Sequence, residues 1–215
     1  MVYPPSHICH NARLARMATT WFTSDLHLGH QFLADIRGFD STDEHDETVL
    51  GHLDDAVRPG DTLWILGDLS SGRSEAEERA LNLIGSRLAG IEKHLVAGNH
   101  DSCHPLFRSA FRRQRRFLEV FDSVQAFQKL RWEGEDVYMC HFPRPGQDHV
   151  GMPSRYDDLR LRVPLLIHGH LHSQFPMTAR GQVDVGVEAW DLKPVPLEIV
   201  RQTLWDSFSR YPDLK

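Results

Sequence analysis

The chain has 215 residues, with Lys+Arg 24 against Asp+Glu 30 and a formal net charge of −6 with histidine neutral. That balance excludes a protein that coats nucleic acid through bulk positive charge. Hydrophobic content of 40% with charged content of 25% excludes a disordered chain, and no apolar window approaches the ~20 residues that a membrane helix needs. A chain of this mass buries about 70% of its extended surface on folding, enough for one core without disulfides. The unusual number is the 14 histidines.

The cysteines Cys9, Cys103 and Cys140 form no Cys-x-x-Cys pair, so neither a disulfide framework nor a thiolate site is expected. Residues 1–16 are polar, carry Pro4 and Pro5 and lack an apolar run of signal-peptide length. A cytoplasmic location, an N-terminal arm without fixed structure over 1–16 and one domain over 17–215 are therefore expected.

In chain order, a β-branched and aromatic run over 19–24 predicts a strand. Val49, Leu50, Leu53 and Val57 predict a helix face over 43–57, stopped by Pro59-Gly60. A strand over 62–66 follows. Ser74 with Glu77 reads as a capping box that opens a helix carrying Ala80, Leu81, Ile84 and Leu88 up to Gly90. A third strand falls at 94–97. Pro105 fits the first turn of a helix with Phe107, Ala110, Phe111, Gln114 and Phe117 on one side and most of the arginines of 108–116 on the other. Strands are predicted over 123–130, 137–140, 165–167 and 183–187, and a closing helix carries Leu197, Val200, Leu204 and Phe208. This alternation is that of an α/β layered fold.

Ligand-type residues recur just past five of these strands: Asp25 and His27, Asp68, Asn99 to Asp101, His141, and His170 with His172. In open α/β sheets the carboxyl ends of strands are where ligands bind. A lone Asp-x-His is usually a turn or a cap, and it is the repetition that points to a shared site. Imidazoles, carboxylates and one amide, with no required thiolate, suit Mn, Fe or Zn rather than Ca. Cys140 beside His141 reads as a small buried hydrophobe. The set oversupplies one metal and fits two that share a carboxylate.

These blocks, Asp25-Leu-His27, Gly67-Asp68, Gly98-Asn99-His100-Asp101, His141 and Gly169-His170-Leu-His172, stand in the order of the signature of the calcineurin-like metallophosphoesterase superfamily, which the chain resembles from 25 to 172. The resemblance implies a two-layer β-sandwich flanked by helices. It implies that Asp25, His27 and His172 hold one metal, that Asn99, His141 and His170 hold the other, and that Asp68 bridges them. It makes His100 the catalytic histidine that is not a ligand, oriented by Asp101. Leu69-Ser70-Ser71-Gly72 after the second block departs from the Val-Asp-Arg-Gly continuation of Ser/Thr protein phosphatases. The Asp-x-Gly and Tyr of purple acid phosphatases are missing, and the length leaves little room for the additions of repair nucleases. The small stand-alone bacterial and phage phosphoesterases remain the best match.

The resemblance therefore implies a phosphoester hydrolase with two divalent ions, Mn²⁺ first and Fe or Zn as alternatives. With two cations, two carboxylates and a hydroxide the site carries net +1, which suits a phosphodiester, cyclic nucleotides included. A phosphomonoesterase, a nucleotide pyrophosphohydrolase and a non-catalytic metal-binding scaffold are the other readings. His30, Arg37 and Arg144 are expected at the substrate. His168 is expected to pack rather than ligate. The arginines of 108–116 are expected on a solvated face, so nucleic acid is not the favoured partner.

Overall fold

Period-two alternation gives each short strand two faces to bury. The structure, a computed structural model, describes residues 17–211; the arm expected over 1–16 lies outside the described residues. In order come β1 (Thr20–Thr23), α1 (Gln31–Ile36), α2 (Thr42–Ala56), β2 (Thr62–Ile65), α3 (Ser74–Arg87), β3 (Glu92–Val96), α4 (Ala110–Phe117), β4 (Ser123–Gln125), β5 (Phe127–Trp132), β6 (Glu135–Cys140), β7 (Leu166–His168), β8 (Met177–Ala179), β9 (Gln182–Asp184), β10 (Val195–Pro196) and α5 (Leu197–Arg210).

The strands form two five-stranded sheets, ordered β10-β1-β2-β3-β4 and β5-β6-β7-β9-β8. From β1 to β4 neighbours are parallel, and β6, β7 and β9 are parallel in the second sheet. Leu63, Ile65 and Leu95 pack with Leu50, Leu53, Leu81 and Ile84 of α2 and α3. The alternate residues Phe22, Leu66 and Val96 pack instead with Val137, Met139, Ile167 and Val183 of the second sheet. The expected two-layer sandwich with flanking helices is what forms.

Three local expectations change. The run 123–130 is two strands: β4 ends the first sheet, and one residue later β5 begins the second. α3 begins at Ser74 without a side-chain cap, because Glu77 is drawn to Ser102 and to the Arg113 guanidinium, both contacts at 2.6–2.7 Å. From Asp101 to Ala110 the chain makes successive three-residue turns, and the buried His104 accepts the Leu106 amide; α4 therefore starts only at Ala110 and not at Pro105. α1, β8 and β10 are too short for periodicity to mark.

Candidate metal centre

The ligand loops leave the ends of β1, β2, β3, β6 and β7 toward one edge. Asp25, His27, Asp68, His170 and His172, five of the expected ligands, have positive φ between 48° and 73°. Left-handed backbone costs on the order of 1–3 kcal/mol at a residue with a side chain, toward the low end for Asp and His. Surrounding hydrogen bonds impose it. His27 donates its backbone N–H to Asp68 O and Leu28 to Leu69 O, at 3.0 and 2.9 Å, so the first two loops stay zipped beyond their strands. Asp101 is fully buried and its carboxylate accepts the amides of Gly98, Asp68 and Leu69 at 2.7, 2.9 and 3.0 Å. Close approach also demands glycine: a Cβ on Gly98 would collide with Asp68 Oδ1, and one on Gly169 with Ser24 Oγ and Asp25 Oδ2.

The rings are anchored by one nitrogen and present the other. Nδ1 of His27 donates to Ser70 O at 3.2 Å, Nδ1 of His141 to Leu66 O at 2.7 Å, and Nδ1 of His172 to Glu188 Oε1 at 2.6 Å. In neutral rings this leaves a lone pair on each Nε2. Those lone pairs face other electron-rich atoms: Nε2 of His27 and His172 are 3.2 Å apart, and His141 Nε2 lies 3.1 Å from Asn99 Oδ1 and 3.4 Å from Asp68 Oδ2. Asp68 Oδ2 is also 3.7 Å from His27 Nε2 and 3.9 Å from His100 Nε2. Such confrontations are repulsive unless a cation, a proton or a metal, sits between them, so the residues present fit two metal ions that meet at Asp68. Burial opposes charge on both partners, yet the Asp68 carboxylate lifts His141 to about 10, and His141 holds Asp68 well below the carboxylate range. Burial raises Asp25.

His170 is 5.2 Å ring to ring from His141 and takes the Asp25 carboxylate at its backbone N–H, at 3.0 Å. Its Nε2 is buried without a hydrogen-bond partner, 3.3 Å from Asp148 Oδ1. Asp148, His149 and Glu188 had no signal in the sequence beyond their residue type. Asp148 is fully buried at its side chain and paired to Arg160 at 2.7 Å. Glu188 pairs with Arg37 at 2.5 Å. Burial works against the Glu188 carboxylate, but the His172 hydrogen bond and the Arg37 charge bring it to about 2, while Glu188 raises His172 to about 9. His149 lies 4.9 Å from the His170 ring and 5.7 Å from that of His172.

A cleft of about 890 Å³ opens over these groups, with His30, Asp68, Asn99, His100 and His149 in its lining. His100 is oriented by Ser71 O, 3.2 Å from its Nδ1, and not by Asp101, whose carboxylate is spent on backbone amides. His30 caps α1 by accepting the Leu33 amide at Nδ1, so its neutral ring carries the proton on Nε2. Arg37 is placed in the wall of the cleft, but its guanidinium is consumed by Glu188, the Asp25 and Leu26 carbonyls and His45. Arg144 is away from the cleft and binds the Pro164 and Arg180 carbonyls. Both arginines thus act within the fold, a correction to their expected place at substrate. His168 is buried between Gly169 O and Thr178 Oγ1, as expected of a packed histidine. In the arginine run, Arg113 and Arg116 are tied to Glu77, Glu78 and Glu119. Cys140 is buried as a small hydrophobe.

Residues 18–174 match the model of the calcineurin-like phosphoesterase family, and the chain belongs to that family. Phosphoester hydrolysis at a binuclear divalent-metal centre is the general property of its members. Among relatives, the chain is 40% identical to the Gene 66 protein of Mycobacterium phage L5, over 81% of this chain and 88% of that one. It is 38% identical to the Gene 66 protein of Mycobacterium phage D29, over 88% and 98%. Among solved structures it is similar to AQ665 from Aquifex aeolicus, with a TM-score of 0.64 and 22% identity over 86% of this chain and 99% of that one, a likeness of fold. Among the described residues no helix is long and apolar enough to cross a membrane.

Proposed function

We propose that the chain is a binuclear-metal phosphodiesterase acting on small phosphodiesters, cyclic nucleotides among them, with Mn²⁺ as the preferred ion ahead of Fe or Zn. The observation that carries the reading is the convergence of the His27, His172 and His141 ring nitrogens and the Asn99 oxygen around Asp68 Oδ2. Asp25, His27 and His172 would hold one ion and Asn99, His141 and His170 the other, with Asp68 shared. Two divalent ions there supply Lewis acidity toward phosphoryl oxygens and toward water.

The chain's own groups do the rest. His100, its side chain 37% exposed at the cleft and fixed through Nδ1, would in its doubly protonated form give the Nε2 proton to the departing alkoxide, a contribution of about 10²–10⁴ in rate. His30 offers an Nε2–H donor to a phosphoryl or ester oxygen. Diesters are favoured over dianionic monoesters because Arg37, in the cleft wall, is taken up by Glu188 and backbone carbonyls, which leaves Arg155 as the cleft arginine available to a second phosphate oxyanion.

The test is kcat/KM for a bis-aryl phosphodiester against an aryl monoester, with metal content measured on the same preparations. Diester preference in wild type, with loss of both metal and turnover in Asp68→Ala, supports the reading. His100→Ala should keep the metals and lose most activity on substrates with poor leaving groups. A monoester preference makes the protein a phosphomonoesterase or pyrophosphohydrolase, and metal binding without turnover of either substrate makes it a scaffold.

A further inference from the structure

The inner wall of the cleft is imidazole and carboxylate, whereas its mouth is apolar. On α1, Phe32 and Ile36 are 65% and 64% exposed; on the 141–165 loop, Val150 and Met152 are 104% and 57% exposed. All four line the same cleft as His100 and Asp68. Single exposed hydrophobics need no explanation, but large ones gathered around a polar pocket mark a binding surface. Connections as long as 141–165 are uncommon unless they serve a site.

Rings lead outward from the centre to both groups. His27 is 5.4 Å from His30, which is 6.3 Å from Phe32 and tilted 49° against it. On the other flank His172 stacks 5.7 Å from His149, the chain neighbour of Val150. The apolar side chains therefore begin about one ring beyond the groups that would face phosphorus, where the organic part of an ester would lie. The two flanks come from different sheets, α1 following β1 and the loop following β6.

We infer that Phe32, Ile36, Val150 and Met152 form the specificity surface of the cleft and receive a flat aromatic group, a nucleobase or an aryl ring, on the substrate. The inference rests on the phosphodiesterase reading and names which diesters it favours. An aromatic face and a thioether suit a ring better than a flexible chain, since stacking on Phe and sulfur–aromatic contact both reward a π-face. The Nε2–H of His30 stands beside Phe32 as a donor for a ring edge or ester oxygen.

The experiment uses two diesters with the same ring-free leaving group, O-phenyl S-methyl phosphorothioate and O-methyl S-methyl phosphorothioate, with release of methanethiol read in metal-loaded wild type, Phe32→Ala and Met152→Ala. Calorimetric binding of phenylphosphonate and methylphosphonate is measured in parallel. Because both positions are exposed, the variants should fold and keep their metal. The phenyl-to-methyl ratio of kcat/KM should fall about tenfold in Phe32→Ala, within the range one stacked ring spans, and less in Met152→Ala. A ratio unchanged in both variants overturns the inference. Should wild type hydrolyse neither ester, the phosphodiesterase reading fails, and the phosphonates then decide the surface: tighter phenylphosphonate binding that Phe32→Ala levels supports it, and equal binding of the two overturns it.

Discussion

Behind His172 and behind His170 stand two carboxylate–arginine pairs built of the same groups but used differently. Glu188 hydrogen-bonds His172 at 2.6 Å, and its arginine, Arg37, reaches across to the Asp25 and Leu26 carbonyls at 2.7 and 3.0 Å and to His45 at 2.7 Å. His45 in turn holds Asp46, which accepts the Gly29 amide. This pair ties His172, a candidate ligand carried after β7, to the loop after β1. Asp148 stands 3.3 Å from His170 Nε2 without hydrogen-bonding it, and Arg160 otherwise donates only to carbonyls of Arg155 and Gln147 in its own loop. One pair is a strut between the sheets, and the other is a clamp inside the loop that carries Val150 and Met152.

Removing the strut should have the largest effect. Arg37→Met leaves the buried Glu188 carboxylate with His172 as its remaining partner and takes the donor from the Asp25 and Leu26 carbonyls, a loss of about 3 kcal/mol, or roughly 10 °C in Tm for a domain of this size. Calorimetry on metal-free protein measures it, and an unchanged Tm would mean that the strut bears no load. Glu188→Gln keeps an acceptor for His172 but removes its charge; chelator competition should show about 10–100-fold weaker binding of one ion and little change in the other. Equal weakening of both ions would erase the distinction between the two pairs. Asp148→Asn should weaken metal by less than about tenfold, because no hydrogen bond to His170 is lost. Its main signature should be faster amide exchange confined to 141–165. Exchange spread over both sheets would make Asp148 a strut as well.

The candidate centre was legible because each candidate ligand follows a strand end in a short block, so local sequence marks it. The backing groups were not. Arg37 and Glu188 are 151 residues apart and Asp148 is 22 residues from His170, and nothing in their local pattern distinguishes them from surface charge. The same limit hid the missing cap at Ser74: the helix starts there as expected, but Glu77 answers to Arg113, 36 residues on, rather than to the cap. Ser41, whose side chain accepts the Glu44 amide at 3.1 Å in α2, met no such competitor. The 123–130 run read as one strand because alternation continues through Ala126 while the chain changes sheets.

β10 pairs antiparallel with β1, placing Val195 and Pro196 opposite Phe22 and Trp21. β1, the first of the described strands to leave a ribosome, thus keeps one edge open until β10 has been made, a wait on the order of ten seconds or more at ordinary elongation rates. An open edge bearing Trp21 and Phe22 invites pairing with a neighbouring nascent chain. High-level expression should therefore reward slower induction or chaperone supply, a demand set by strand order and independent of how stable the finished sandwich is. Once β10 closes, Pro196 brings no N–H to the new outer edge, and the opportunity for such pairing ends with synthesis.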